Sequence, residues 1–166
     1  MSIFPTRILL ATDGSDEAEL AAARAVELAD GTGSELHVVH VGGAPVFLMS
    51  DLGMGGYDRK LYEEIEEEAR ELLRKLSWRV RVAGGTVAGT HLRMGAVDLE
   101  IVGLAKHLGA GLIVMGCRGH RGIRRAIEGS VSDAVIRHAP CPVLVVPSHE
   151  SAEAPERPAL VQGGGR

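Results

Sequence analysis

Four short apolar runs recur along the chain: RILLAT (7–12), ELHVVHV (35–41), GLIVMG (111–116) and VLVVP (143–147). Each is rich in β-branched residues and nearly continuous, without the polar alternation of a strand that has one wet face. Strands buried on both faces of a parallel sheet read this way, because helices cover each side. Helix-like stretches lie between them: SDEAELAAARAVELAD (15–30), YDRKLYEEIEEEARELLRKLSWRV (57–80), AVDLEIVGLAKHL (96–108) and SVSDAVIRH (130–138). A weaker strand, TVAGTHLRM (86–94), separates the second helix from the third. The alternation predicts an open, doubly wound, Rossmann-like α/β domain with five parallel strands and four helices. If its halves wind in opposite directions, the strand order is 3-2-1-4-5.

Local punctuation agrees. Ser15 is placed to cap the first helix and Gly31 with Gly33 to end it, and Gly109 and Gly111 follow the third. On the second helix Leu61, Ile65, Ala69, Leu72, Leu73 and Leu76 recur at helical spacing, with Glu66–Arg70 and Glu71–Lys75 four apart. The acidic run EEIEEEARE therefore reads as a solvated helix face and not as a metal site. Residues 42–56, GGAPVFLMSDLGMGG, carry neither period and read as a long mobile connection, the kind that often serves as a lid or partner site. The domain is expected over 1–149. Residues 150–166, rich in Pro, Ala, Glu and Gly, have almost nothing to bury and read as a disordered tail.

Composition narrows the picture. With 166 residues there is room for one domain, and with aromatics at only 3% its core must be aliphatic. The net charge of −4 excludes the broad basic surface that a nucleic acid or anionic membrane requires, so neither is an expected partner. No signal core or spanning segment is present, and the expected location is cytoplasmic. Cys117 and Cys141 match no metal or redox spacing and read as reduced thiols.

Open parallel sheets bind ligands beyond the carboxyl ends of their strands, where the winding reverses. In the predicted order that point lies between strands one and four, which release Ala11, Thr12 and Asp13 on one side and MGCRGHRGIRRAIEGSVS (115–132) on the other. Gly116 and Gly119 would let the backbone turn and approach a ligand, and Gly129, Ser130, Val131 and Ser132 open the last helix. A helix N-terminus offers unpaired N–H groups and the positive end of a dipole, which suits phosphate. Arg118, Arg121, Arg124, Arg125 and His120 share the connection and could neutralise a polyphosphate. Each part also has a plain structural reading: Ser130 with Asp133 makes a capping box, and Asp13 suits an Asx turn. Asp13 equally suits a ribose or a phosphate-bound metal. Val41 ends strand two, where its backbone could meet a base edge. His37 and His40, three apart, point to opposite faces and read as structural; His91, His107, His138 and His149 show no partner spacing.

These residues resemble the universal stress protein family over 7–147. The resemblance runs from ILLATDGSDEAE through HVVHV to GAGLIVMGCRGHRGIRRAIEGSVSDAVIRHAPCPVLVVP. Its most specific part is G-x2-G-x9-G-[ST], the signature of the family's ATP-binding subclass, met here by Gly116, Gly119, Gly129 and Ser130. The resemblance implies that Asp13 and Val41 contact ribose and adenine. It also implies that Met115, Gly116, Gly119, Gly129, Ser130, Val131 and Ser132 line the rest of an ATP site, with magnesium bound alongside. It implies further a homodimer paired along edge strand 142–146. Two positions depart from the pattern: Ala11 stands where many relatives have proline, and Gly111 replaces a common acidic residue.

The expected function is that of a stress-response sensor acting through nucleotide-dependent conformation or assembly upon protein partners. The sequence shows no evident nucleophile, general base or P-loop, which points away from an efficient hydrolase while leaving slow turnover open. The alternative is a family scaffold that retains no nucleotide and works through its dimer surface. A dinucleotide-dependent oxidoreductase would need GxGxxG after the first strand, where this chain has TDGSDEAE.

Overall fold

A computed structural model describes residues 6–42, 59–82, 84–117 and 131–147, without the side chains of residues 59, 61 and 62. The elements alternate as expected: β1 (Arg7–Ala11), α1 (Asp16–Thr32), β2 (Glu35–Gly42), α2 (Arg59–Val82), β3 (Gly89–Met94), α3 (Val97–Leu108), β4 (Leu112–Gly116), α4 (Val131–His138) and β5 (Val143–Val146). The strands form one sheet in the order β3-β2-β1-β4-β5, and every pairing is parallel. The predicted order and the four helices are thus both observed. Most of the 42–56 connection, the 150–166 tail and the side chain of Leu61 lie outside the described residues.

Alternation along the central strand builds two cores. Ile8 and Leu10 point to one face, where they meet Ala21, Ala25, Leu36, Val38, Leu73 and Val114 beneath α1 and α2. Leu9 and Ala11 point to the other, against Val39, Ile101, Leu104, Ile113 and Val135 beneath α3 and α4. Every one of these side chains is at most 8% exposed. Burying a large aliphatic side chain stabilises by about 1.5–3 kcal/mol, so the doubly covered β1 anchors the domain. The buried face of α1 is made of alanines at 18, 21, 22, 25 and 29. Small side chains bring the α1 backbone close to the sheet, a closeness that matters at the site.

The helix ends show where local chemistry rules. Ser15 caps α1 by accepting from the Ala18 N–H. Gly31 does not end the helix as expected; α1 continues to Thr32 and stops at Gly33, whose φ of 67° makes it the left-handed terminator. On α2 the charge spacing does form ion pairs. Arg70 bonds Glu66, and Lys75 lies 3.7 Å from Glu71. Arg74 reaches both Glu67 at 2.9 Å and Glu71 at 2.7 Å, which makes this face a ladder of exposed charge.

Candidate functional site

The turn after β1 consists of Thr12, Asp13, Gly14 and Ser15, and each member is held. The Thr12 N–H donates to the Val39 carbonyl at 2.9 Å, and Thr12 Oγ1 accepts from the Gly14 N–H at 3.2 Å. Asp13 Oδ1 accepts twice from Ser15, from its N–H at 3.0 Å and its hydroxyl at 2.6 Å. This is an Asx turn leading into a helix cap, since the same hydroxyl oxygen accepts from Ala18. Gly14 has φ of 79°, a conformation that other residues rarely adopt. From the strand beside it, His40 Nδ1 lies 2.8 Å from the Thr12 carbonyl oxygen. A carbonyl only accepts, so the imidazole is the donor.

Across β1 from β2, strand β4 ends at Gly116. A β-carbon there would come to 3.0 Å from the carbonyl carbon, the carbonyl oxygen and the β-carbon of Glu17. Gly116 thus lets the first turn of α1 pack closely, and a side chain there would press on the Glu17 backbone by a few tenths of an ångström. Met115 is 6% exposed and belongs to the core under α3 and α4, as does the half-buried Val41 in part. Val131, 39% exposed, and Ser132, 9% exposed, stand in the first turn of α4.

Of the residues expected to form the site, Ala11, Thr12, Asp13, Val41, Met115 and Gly116 lie at the carboxyl ends of three adjacent strands, β2, β1 and β4. Val131 and Ser132 open a helix on the sheet face opposite α1. Arg118, Gly119, Gly129 and Ser130, with the other arginines of that connection, lie outside the described residues.

A cleft of about 740 Å³ borders the same turn on the α2 side, touching Thr12, Gly14, Leu72 and Arg79. Its lining holds five glutamates against three cationic side chains, and Arg74 and Arg79 are already paired with Glu71 and Glu19. Charge of that sign repels phosphate, so this cleft is a poor place for a nucleotide's phosphates. Beside Glu71, the guanidinium of Arg74 and then the ammonium of Lys75 hold its carboxyl below the ordinary range.

The histidines require a correction. His91, which has no partner in local spacing, stacks near His37 and shares a 3.1 Å bond with it, His37 Nδ1 to His91 Nε2. The register places them together: His37 pairs with Gly89, and His91 lies two residues further along the same face. Gly89 leaves the space, since a β-carbon there would sit 2.8 Å from His37 Nδ1 and 3.2 Å from His91 Nε2. Burial, then the neighbouring His37, Arg93 and His107, push the His91 pKa down. Glu35, 3.7 Å from His37 Nε2, is held below the usual carboxylate range by Arg7 first and by His37 after it. As expected, His37 and His40 serve opposite faces. Among the described residues no group of three or more His, Cys, Asp or Glu side chains could hold a metal, and no helix is long and apolar enough to cross a membrane.

The residue that sequence reasoning undervalued is His40. A signal did exist: His40 is a polar, hydrogen-bonding side chain near the end of an otherwise apolar strand, and its partner is the adjacent turn.

Comparison with known proteins places this geometry in a family. The profile of the Universal stress protein family matches residues 5–147. A putative universal stress protein of Staphylococcus haemolyticus is 37% identical over 147 residues, which span 88% of this chain and 87% of that protein. The universal stress protein of Archaeoglobus fulgidus in complex with dAMP superposes with a TM-score of 0.61 at 29% identity, over 87% of this chain and 98% of that one. A universal stress protein in complex with cAMP gives 0.62 at 26% identity, over 86% and 96%. In sequence and in strand order alike, this chain belongs to the universal stress protein family.

Proposed function

We propose that the chain binds ATP at the rim formed by β2, β1 and β4, and that bound nucleotide controls its conformation or assembly as a cytoplasmic stress-response regulator. The observation that carries this reading is the held turn Thr12–Ser15, which presents Asp13 between the ends of β2 and β4. In this reading Asp13 bonds the ribose, the Val41 backbone meets the adenine edge, and the stretch from Gly116 to Ser132 receives the phosphates. A carboxylate accepts about four hydrogen bonds, so one group can serve both turn and ribose. The complexes of related proteins with dAMP and cAMP support an adenine nucleotide at this fold. The Gly116, Gly119, Gly129, Ser130 signature supports a triphosphate.

In this reading magnesium would accompany the phosphates. It needs only one or two protein carboxylates when phosphates supply the rest, and Asp13 is the carboxylate of the proposed site. Bound there, it would neutralise phosphate charge. We also propose that a second copy pairs along β5, an edge strand of four apolar residues on which Leu144 is 37% exposed.

The test is thermal unfolding of nucleotide-stripped protein with and without Mg-ATP, with Mg-GTP as control. A ligand at 100 times its dissociation constant adds about 2.7 kcal/mol, which raises the midpoint by roughly 5–11 °C for a domain of this size. A rise with ATP alone is expected. No rise at millimolar ATP would remove the reading.

A further inference from the structure

The backbone ladder between β1 and β2 ends with Ala11 opposite Val39, and the bond from the Thr12 N–H to the Val39 carbonyl follows it. Where β1 leaves the sheet, the adjoining hold on the turn comes from a side chain: His40 Nδ1 donates to the Thr12 carbonyl oxygen at 2.8 Å. That carbonyl belongs to the planar peptide unit joining Thr12 to Asp13, so its direction sets the direction from which the Asp13 Cα departs. Ser15 acts one step later, on the Asp13 carboxylate itself. The two holds are complementary. One fixes the backbone plane and the other the side-chain rotamer.

We infer that His40 is a positioning residue of the nucleotide site, aiming the Asp13 carboxylate at the ribose through the Thr12–Asp13 peptide. The inference rests on the nucleotide reading above and deepens it. His40 touches no ligand in this scheme. Its consequence is selectivity: a well-aimed carboxylate rewards a ribose hydroxyl, and a misdirected one does not.

Two variants of the full chain test this, His40→Ala and His40→Asn. The Asn side-chain amide can donate from nearly the position of Nδ1, whereas Ala cannot donate at all. Three quantities are read: the dissociation constants of Mg-ATP and Mg-dATP by calorimetry, the exchange rate of the Ser15 amide without nucleotide by NMR, and the unfolding midpoint. In His40→Ala, ATP affinity should fall about tenfold, dATP affinity should fall less, and Ser15 exchange should quicken. His40→Asn should recover all three, which a role in packing alone would not produce. Unchanged ATP-to-dATP preference and unchanged Ser15 exchange in His40→Ala would overturn the inference. So would an Asn variant that folds like wild type yet binds like the Ala variant. If the wild type binds neither nucleotide, the nucleotide reading and the ligand half of the inference fall together. Ser15 exchange then still decides whether His40 holds the turn. Should His40→Ala fail to fold, His40→Gln, whose donor is displaced by one methylene, takes its place.

Discussion

Gly116 faces the backbone of Glu17 so closely that a β-carbon would stand 3.0 Å from the Glu17 carbonyl carbon and oxygen. The strand end and the helix start that frame the candidate site are therefore in direct main-chain contact. Their separation is set by the absence of one methyl group.

Replacing that glycine tests the contact. In a strand free of clashes Gly→Ala usually stabilises, by roughly 0.5–1 kcal/mol. Here the neighbour is largely backbone and cannot swing aside, so Gly116→Ala should destabilise by about 1–3 kcal/mol in urea unfolding. A neutral or stabilising outcome would mean that α1 moves away at no cost.

The Ser15 hydroxyl serves two partners, donating to Asp13 and accepting from Ala18. Ser15→Ala should cost about 1–2 kcal/mol, toward the upper end for the loss of a helix cap, while Ser15→Thr should keep most of the stability. Equal stability of the Ala and wild-type proteins in denaturant would show that the cap is replaced by water.

Charge and turn geometry can be separated at Asp13. Asn retains an oxygen for the two Ser15 bonds but carries no charge, so Asp13→Asn should unfold near the wild-type midpoint. If the nucleotide reading holds, it should bind Mg-ATP roughly 10- to 150-fold more weakly, the equivalent of one charge-assisted bond of about 1.5–3 kcal/mol. Calorimetric affinity equal to that of wild type would move the ribose contact elsewhere.

The His37–His91 pair carries a pH signature. The folded state lowers the pKa of His91 from its ordinary 6.5, so it takes up a proton less readily than the unfolded chain does. The pair's contribution is complete above the unfolded value and is lost as pH falls below it, toward the lowered folded value. Unfolding free energies at pH 8 and pH 5.5 should thus differ more for wild type than for His91→Gln, which cannot titrate. Parallel pH profiles for the two proteins would contradict the shift.

The architecture was legible because its signals are local. Continuous apolar runs such as LIVM mark strands covered on both faces, Ser15 announces a helix start, and the five alanines of α1 repeat at helical spacing. Asp13, Val41 and Gly116 follow from the strand ends once the order is known. What stayed hidden joins distant segments: His37 with His91, 54 positions apart, and His40 with Thr12, 28 apart. Parallel strands are linked by long crossovers, so no turn dictates their register, and residues that meet across the sheet leave no spacing to read. Gly116 illustrates the same limit. Its position in the signature marks close approach, yet one partner in that approach is the protein's own helix, and only packing reveals it.

The turn from Thr12 to Ser15 is tied to β2, to α1 and to itself before anything binds. Ordering a free residue costs about 1–2 kcal/mol in conformational entropy, a cost that folding has already met at these four positions. A ligand that docks against this turn meets four residues already in place, and its affinity is spared the loss of their chain freedom.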